Sequence, residues 1–431
     1  MAKLLNTNNI IIVVNSNIAN SNSDAIWYCG QRNIPTNNII QVNFANNYAL
    51  YFNDLIRNVS PNNVTIQNGT FAGLPVFQGI SAMVANGTCQ GVILSTYTPA
   101  IVTSNVASAW GLPSFFGAAN YLWNLYSVSL PSGNINIPAC PNPGSTLYPM
   151  SGNTAGNYNQ YSLTPLSYIQ AANNLTMPFG RLGYPNNQVT YISELAPVNT
   201  PYTAFGESIF QRAVRLALLS EANNNYLQPH WLSNDIGDAT YFTSNTNVAA
   251  LNTAINKSMN VAVTVSSLNV TNQVTSVYNI VDFRNNNVGY APPLFAYAVN
   301  GSTNSQLSTN LPPSGYAMYS NYSCLPGAWA ATWYSFSFEL ISGVLQNGGS
   351  AGIATLNEPL APYISYPSDI FYQAVSQHCE LMVCNWWSRT WTSQFPMGTS
   401  AYGDPLYTPY NVVQNQPIGY YFKGNSFLIP T

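Results

Sequence analysis

Six cysteines and two histidines are the side chains of this 431-residue chain best suited to nucleophilic or metal chemistry. Cys29, Cys89, Cys140, Cys324, Cys379 and Cys384 lie far apart and contain no CxxC pair, so zinc-ribbon and thioredoxin readings fall away. In an extracellular setting they permit up to three disulfides, and in a domain this large they serve equally as buried thiols. A cysteine nucleophile needs an imidazole within hydrogen-bond reach and backbone N–H groups for the oxyanion. Cys324, in Ser323-Cys324-Leu325-Pro326-Gly327, sits where a nucleophile could follow a strand. Its base would be His230, in Gln228-Pro229-His230-Trp231, or His378, beside Cys379.

Metal chemistry has a second set of candidates. His230, Asp235 and Asp238 could form a small nitrogen and oxygen site, as could Glu358 or Asp404 with a loop carbonyl. Asp404 precedes Pro405, however, and an aspartate there ordinarily caps a turn. No complete catalytic, metal or cofactor motif is present, and no cofactor is expected. Aromatic rings gather toward the C-terminus as Tyr366, Phe371, Tyr372, Trp386, Trp387 and Trp391, followed by Tyr402, Tyr407, Tyr410, Tyr420, Tyr421 and Phe422. Such rows bind sugar faces or subunits, and they also fill cores.

Charge sets the frame for all of these. Only 5% of the chain is Asp, Glu, Lys or Arg, against roughly 25% in ordinary soluble domains. AT-rich coding would enrich lysine along with asparagine and tyrosine, yet the lysines are Lys3, Lys257 and Lys423 alone, so selection against charge is the better account. A surface of amides and hydroxyls keeps its hydrogen bonds at every pH and at high salt. So few cations cannot neutralise a run of phosphates or grip an anionic membrane, which argues against nucleic acid and charged lipid as partners. A net charge of −3 also leaves little repulsion between copies, which favours dense assemblies. With 46% hydrophobic and 13% aromatic residues the chain is ordered rather than intrinsically disordered. Nine Asn-x-Ser/Thr sequons match chance in so asparagine-rich a chain, so glycans stay open. The start Met1-Ala2-Lys3-Leu4-Leu5 lacks the apolar core of a signal peptide, and no stretch reads as membrane-spanning.

The elements that must position these residues alternate between strand and helix. Strands are predicted over Asn9 to Asn15, Ile39 to Phe44 and Gly91 to Tyr97, with helices over Ala25 to Arg32 (capped by Ser23-Asp24), Tyr48 to Val59 and Phe77 to Ala85. Such alternation implies a parallel sheet with right-handed crossovers. Residues 131–180 form an irregular Asn/Gly/Pro-rich insertion. Glu207 to Asn223 is the cleanest amphipathic helix, with Arg212, Arg215 and Glu221 placed outside or at its edges. Val261 to Asp282 alternates in β fashion, within a β-rich insertion near 240–290. Further strands are expected over Pro293 to Val299 and Gly352 to Leu356, and helices over Phe336 to Leu345 and Asp369 to Trp387.

Several stretches together resemble an uncharacterised bacterial family that accompanies the exosortase sorting system. Val13 to Phe44 has the family's strand, Asn/Ser-rich turn, helix ending in a basic residue and Ile34-Pro35-x-x-Asn38 step into a second strand. Arg181-Leu182 followed by the helix Phe210 to Glu221 is similar too. So are Leu325-Pro326-Gly327-Ala328, Ser335-Phe336, Asn357-Glu358-Pro359 and Gly403-Asp404-Pro405-Leu406-Tyr407-Thr408-Pro409, in the family's order. The resemblance implies an α/β sandwich distantly related to gingipain- and caspase-like cysteine peptidases, without an assigned reaction. Those peptidases carry His-Gly after one strand and Ala-Cys after the next; the chain has no His-Gly, and its Ala-Cys is Ala139-Cys140, inside the irregular insertion.

The expectation is therefore an α/β protein with a mostly parallel sheet flanked by helices and long irregular and β-rich insertions. Its parts are a first half over 1–130, the insertion 131–180, a second half over 181–401 and a C-terminal arm over 402–431. The expected role is a catalytically silent, self-associating surface protein of an extracellular layer, filament or virus particle, forming a homo-oligomer or polymer. The alternatives are a secreted acid-tolerant cysteine-peptidase-like hydrolase and a carbohydrate-binding surface protein.

Overall fold

Ile10–Asn15 forms strand β1 in a computed structural model of the chain, and every one of its side chains is buried. A β-branched run without polar alternation has to be covered on both faces, the situation of a central parallel strand. The structure describes residues 5–44, 49–51, 64–99, 101–103, 110–111, 179–182, 207–225, 231–236, 271–273, 294–300, 324–332, 341, 344–346, 348–355, 370, 374, 378–387 and 399–411.

Helix α1 (Ala19–Arg32) begins a turn and a half earlier than the Ser23-Asp24 cap predicted, and its N-cap Ile18 makes no side-chain bond. The polar residues that argue for a later start are used elsewhere. Ser21 and Asp24 bond to the loop after strand β4 (Gly91–Leu94), and that tertiary demand overrides their weak helix propensity. The helix stops where Asn33 turns left-handed at φ 55°, two residues before Pro35. Strand β2 (Ile39–Val42) follows. Ala49–Tyr51, predicted as helical, is instead the short strand β3, and 52–63 lie outside the described residues. Helix α2 (Val76–Ala85) stands as predicted and leads to β4.

Strands β5 (Ile101–Thr103) and β6 (Trp110–Gly111) join β3 in a small three-stranded sheet. The main sheet continues with β7 (Phe179–Arg181). Helix α3 (Ile209–Asn223) opens on a reciprocal capping box between Ser208 and Gln211. After it come β8 (Trp231–Ile236), β9 (Thr271–Gln273), β10 (Leu294–Asn300), β11 (Cys324–Thr332) and β12 (Ala351–Thr355). Helix α4 (Leu381–Trp387) and strand β13 (Thr399–Gly403) complete the described elements. The helix expected over Asp369 to Trp387 is interrupted: residues 378–380 are not helical, and His378 takes a left-handed φ of 55°.

The result is an α/β architecture around a ten-stranded, mostly parallel sheet in the order β2-β1-β4-β7-β13-β12-β11-β10-β8-β9. From β2 to β13 all neighbours are parallel, from β12 to β9 they are parallel again, and the one antiparallel step joins β13 to β12. Both sides of that seam repeat one order: the second strand in sequence outermost, then the first, the third and the fourth. Since the halves run in opposite directions, their carboxyl ends open at opposite edges. Each half has its own switch point, β1/β4 in one and β8/β10 in the other, where parallel sheets ordinarily form ligand crevices.

The boundary expected at 402 falls inside β13, which lies at the middle of the sheet. Residues 402–410 are all buried, and any arm after 411 lies outside the described residues, as do most of the expected insertions at 131–180 and 240–290.

Candidate functional site

A cysteine-peptidase mechanism would be assembled where two parallel strands end side by side. Strands β10 and β11 meet that description, with Val299 opposite Thr332 at their carboxyl ends. The terminal residues there are Asn300 and Thr332, an amide and a secondary alcohol in place of an imidazole and a thiol. Cys324 is at the wrong end: it is the first residue of β11, opposite Leu294. The five residue steps of β10 from Leu294 to Val299 put roughly 17 Å between Cys324 and that carboxyl edge. Cys324 as a whole is half-buried, yet its sulfur is densely surrounded, and burial pushes the thiol up to about 12, far from a reactive thiolate.

His378 is committed elsewhere. Its Nδ1 lies 2.7 Å from the carbonyl oxygen of Tyr410, which can only accept, so the proton sits on Nδ1. Burial lowers its pKa from the ordinary histidine value, which keeps the ring neutral. Neighbouring Cys379 is buried and accepts the thiol of Cys384 at its carbonyl, 3.6 Å away. No hydrogen bond joins Cys324 to His378.

Of the metal candidates, Asp235 lies in β8 opposite Val299, while His230, Asp238 and Glu358 are outside the described residues. No group of three metal-ligating side chains occurs among the described residues. Asp404 does cap its turn, accepting from Leu406 N–H at 3.2 Å, but it does far more than that. Tyr402, Tyr407 and Tyr410 are buried, so these rings pack the core and offer no sugar platform. Tyr410 stands edge-on to Phe295 and Trp329, with centroids 5.8 and 6.2 Å away.

The cluster that the sequence left unrecognised is ionic and internal. Arg32, at the end of α1, donates from Nε (3.0 Å) and Nη2 to Asp404 Oδ2 and from Nη1 to Glu221 Oε2 at 2.7 Å. Tyr28, one turn earlier, donates to Asp404 Oδ1 at 2.8 Å. Glu221 Oε1 accepts from Thr408 N–H at 2.9 Å. The Arg32 and Asp404 side chains are 1% and 0% exposed. Burial works against the guanidinium, but Asp404 and Glu221 outweigh it and hold Arg32 firmly protonated. Burial, seconded by the Asp404 carboxylate, pushes the Tyr28 phenol up, so it stays a donor.

A second strand of the same network runs beside it. Tyr407 Oη donates to the carbonyl of Gly327 at 2.7 Å, which leaves Ser220 to donate to Tyr407 Oη at 2.9 Å. Gly327 bulges β11 at φ 92°, and a Cβ there would lie 2.2 Å from Ser220 and 2.5 Å from Tyr407 Oη. Three stretches named in the sequence for their family resemblance, around 210–221, 325–328 and 403–409, thus meet at one latch that α1 completes. The arrangement fastens two helices and a strand end to the sheet. With each carboxylate oxygen engaged by donors and the guanidinium enclosed, it has no acid or base to offer a substrate.

The other described charges are spent in the same way. Arg212, expected outside or at the edge of the apolar face of α3, is buried and donates to the carbonyls of Leu345 and Gln346 at 2.8 and 2.9 Å. The apolar pattern cannot reveal that a long side chain will reach a helix end beyond the face it leaves. Arg181 donates to the carbonyls of Pro99 (2.8 Å) and Thr98, and buried Glu380 accepts from Leu5 N–H at 3.3 Å. Arg215 and Glu207 pair with each other at 2.8 Å.

At the β1/β4 switch point the crevice is closed by its own side chains. Asn15 donates to Tyr97 O (3.1 Å), Ser21 to Thr96 O (2.5 Å), Ser95 to Ser21 O (2.6 Å) and Thr96 to Asp24 Oδ2 (2.6 Å). Burial raises the Asp24 carboxyl, against the hydrogen bond from Thr96 that lowers it. No helix among the described residues is long and apolar enough to cross a membrane. A scan against protein-family models gave no match, and neither curated proteins nor solved structures include a chain that matches this one.

Proposed function

We propose that this chain is a non-enzymatic, self-associating structural protein of an extracellular layer, a filament or a virus particle. The observation that carries the reading is where its scarce charges go. Nine charged side chains among the described residues are engaged internally or with a neighbour: Asp24, Arg32, Arg181, Glu207, Arg212, Arg215, Glu221, Glu380 and Asp404. The outer face of α1 is neutral. The exposed positions of α1 are Ala19, Asn20, Ser23, Ile26, Gly30 and Gln31. Surfaces of this kind present no long-range repulsion to a second copy, and their hydrogen-bonding capacity is indifferent to acid and salt. Sedimentation velocity of the purified chain from pH 3 to 8, at low and high salt, tests this. Assembled species throughout are expected, and a monomer at high concentration across the range would overturn the proposal.

The finer fold reading, a catalytically silent relative of the gingipain- and caspase-like sandwich, is supported by two parallel strands ending side by side with Asn300 and Thr332. Its rival, an active cysteine hydrolase, requires covalent labelling by a thiol-reactive peptidyl probe that is lost in Cys324→Ala. No labelling of the native chain is expected.

A further inference from the structure

At the seam of the main sheet, Arg181 on β7 neighbours Tyr402 on β13, since Gly180 pairs with Ala401 in parallel register. Ser400 precedes Tyr402 by two residues and shares its face of the strand. All three side chains are buried. Arg181 has carbonyl partners on Nη1 and Nη2 but none on Nε, and neither Tyr402 Oη nor Ser400 Oγ has a partner in hydrogen-bond geometry. Ser400 lies close enough to favour the ionised phenol of Tyr402. Even if the two hydroxyls bonded to each other, one O–H would still lack an acceptor.

The balance is therefore one-sided. Among the described residues the Arg181 guanidinium has no carboxylate against it, whereas Arg32 has two. Surplus donors and an uncompensated positive charge lie on adjacent strands, with no acceptor left to match them. Buried donors without acceptors each cost about 1–3 kcal/mol, and a buried unpaired charge costs more. A small monovalent anion answers both deficits at once. We propose that Arg181, Tyr402 and Ser400 form a buried halide site that closes the seam between the two halves of the sheet. The ion would accept from Nε–H and the two hydroxyls and would be a structural component of the fold.

Urea unfolding in sodium chloride and in sodium gluconate at one fixed ionic strength tests this directly. With one ion released on unfolding, the unfolding constant falls about tenfold per tenfold rise in chloride above the dissociation constant, and gluconate has no such effect. Tyr402→Phe, which keeps the ring and removes one donor, raises several-fold the chloride concentration at which that dependence sets in. Arg181→Met abolishes it, and if that variant does not fold, Ser400→Ala with Tyr402→Phe carries the same test. Bromide-soaked crystals should show an anomalous peak among the three donors. Equal stability in chloride and gluconate, or a bromide peak only elsewhere, overturns the proposal.

Discussion

Replacing Asp404 by asparagine removes one charge from the latch without changing its shape. The amide oxygen at the Oδ1 position still accepts from Tyr28 and from Leu406 N–H, whose distances are 2.8 and 3.2 Å. The amide nitrogen then faces Arg32 Nε and Nη2, donor against donor, in place of the carboxylate oxygen that both now contact. Breaking a buried pair by neutralising one partner costs about 3–5 kcal/mol, because the other charge stays buried. Glu221 remains against Nη1 at 11% exposure and keeps part of the compensation, so the lower end, about 3 kcal/mol, is expected. That is roughly a hundredfold in the folding constant, or about 1 M in urea midpoint at an m-value of ~3 kcal/mol/M. Urea titration followed by tryptophan fluorescence at pH 7 reads it. Arg32→Met combined with Asp404→Leu should recover only part of the loss, since it removes both members of the buried pair but leaves Glu221 Oε2 without its guanidinium and Tyr28 without its acceptor. A single-variant loss under about 0.5 kcal/mol would refute the account of the latch as a buried, mutually dependent pair.

Gly327→Ala should cost about 3 kcal/mol in the same assay, since the methyl meets both a left-handed backbone and the Ser220–Tyr407 contact; an unchanged midpoint would dismiss the contact. His378 has a folded pKa below its unfolded value, so its contribution to stability is complete above pH 6.5 and is lost as pH falls through the lower folded value. His378→Asn tolerates the left-handed backbone and can still donate to Tyr410, so it should flatten the part of the stability loss that begins below pH 6.5; an unaltered profile speaks against that role. Cys29, Cys89 and Cys324, with thiols pushed up to about 11, 12 and 12, should resist iodoacetamide at pH 7.5 until urea unfolds the chain, and rapid native labelling would contradict their burial. Glu207→Gln should change stability by less than ~1 kcal/mol, because its pair with Arg215 is 23% and 40% exposed; a loss above ~2 kcal/mol would show the pair to be structural.

Much of the sheet was legible because its strands are short apolar runs, of which β1 and β4 are buried along their whole length. Ile10–Asn15, Gly91–Leu94, Leu294–Asn300 and Ala351–Thr355 all lie within a residue or two of their predicted positions, apart from β4 stopping three residues early. Parallel pairing followed from helices between strands. The reversal at β13 did not; that strand ends on Gly403 at φ 83°, where a Cβ would lie 2.5 Å from Ser350 O. Nothing local distinguishes that glycine from many others. The early start of α1 was hidden for the opposite reason: Ser21 and Asp24 signal a cap locally, and only contacts across more than seventy residues reassign them.

Charge depletion itself conceals the latch. A shortage of ionisable groups reads first as a property of the surface, and Arg32, Arg212 and Asp404 then look like leftovers. Yet if selection removes charge wherever it is dispensable, the residues that survive are those whose loss would leave a buried partner or carbonyl unsatisfied. Arg32 faces two carboxylates, Arg212 ends a helix through two carbonyls, and Asp404 gathers donors from α1 and its own turn. The same logic separates the remaining charged residues from ordinary surface charge. Substituting them one at a time should produce stability losses far larger than surface substitutions ordinarily cause, with the exposed Glu207–Arg215 pair as the internal control.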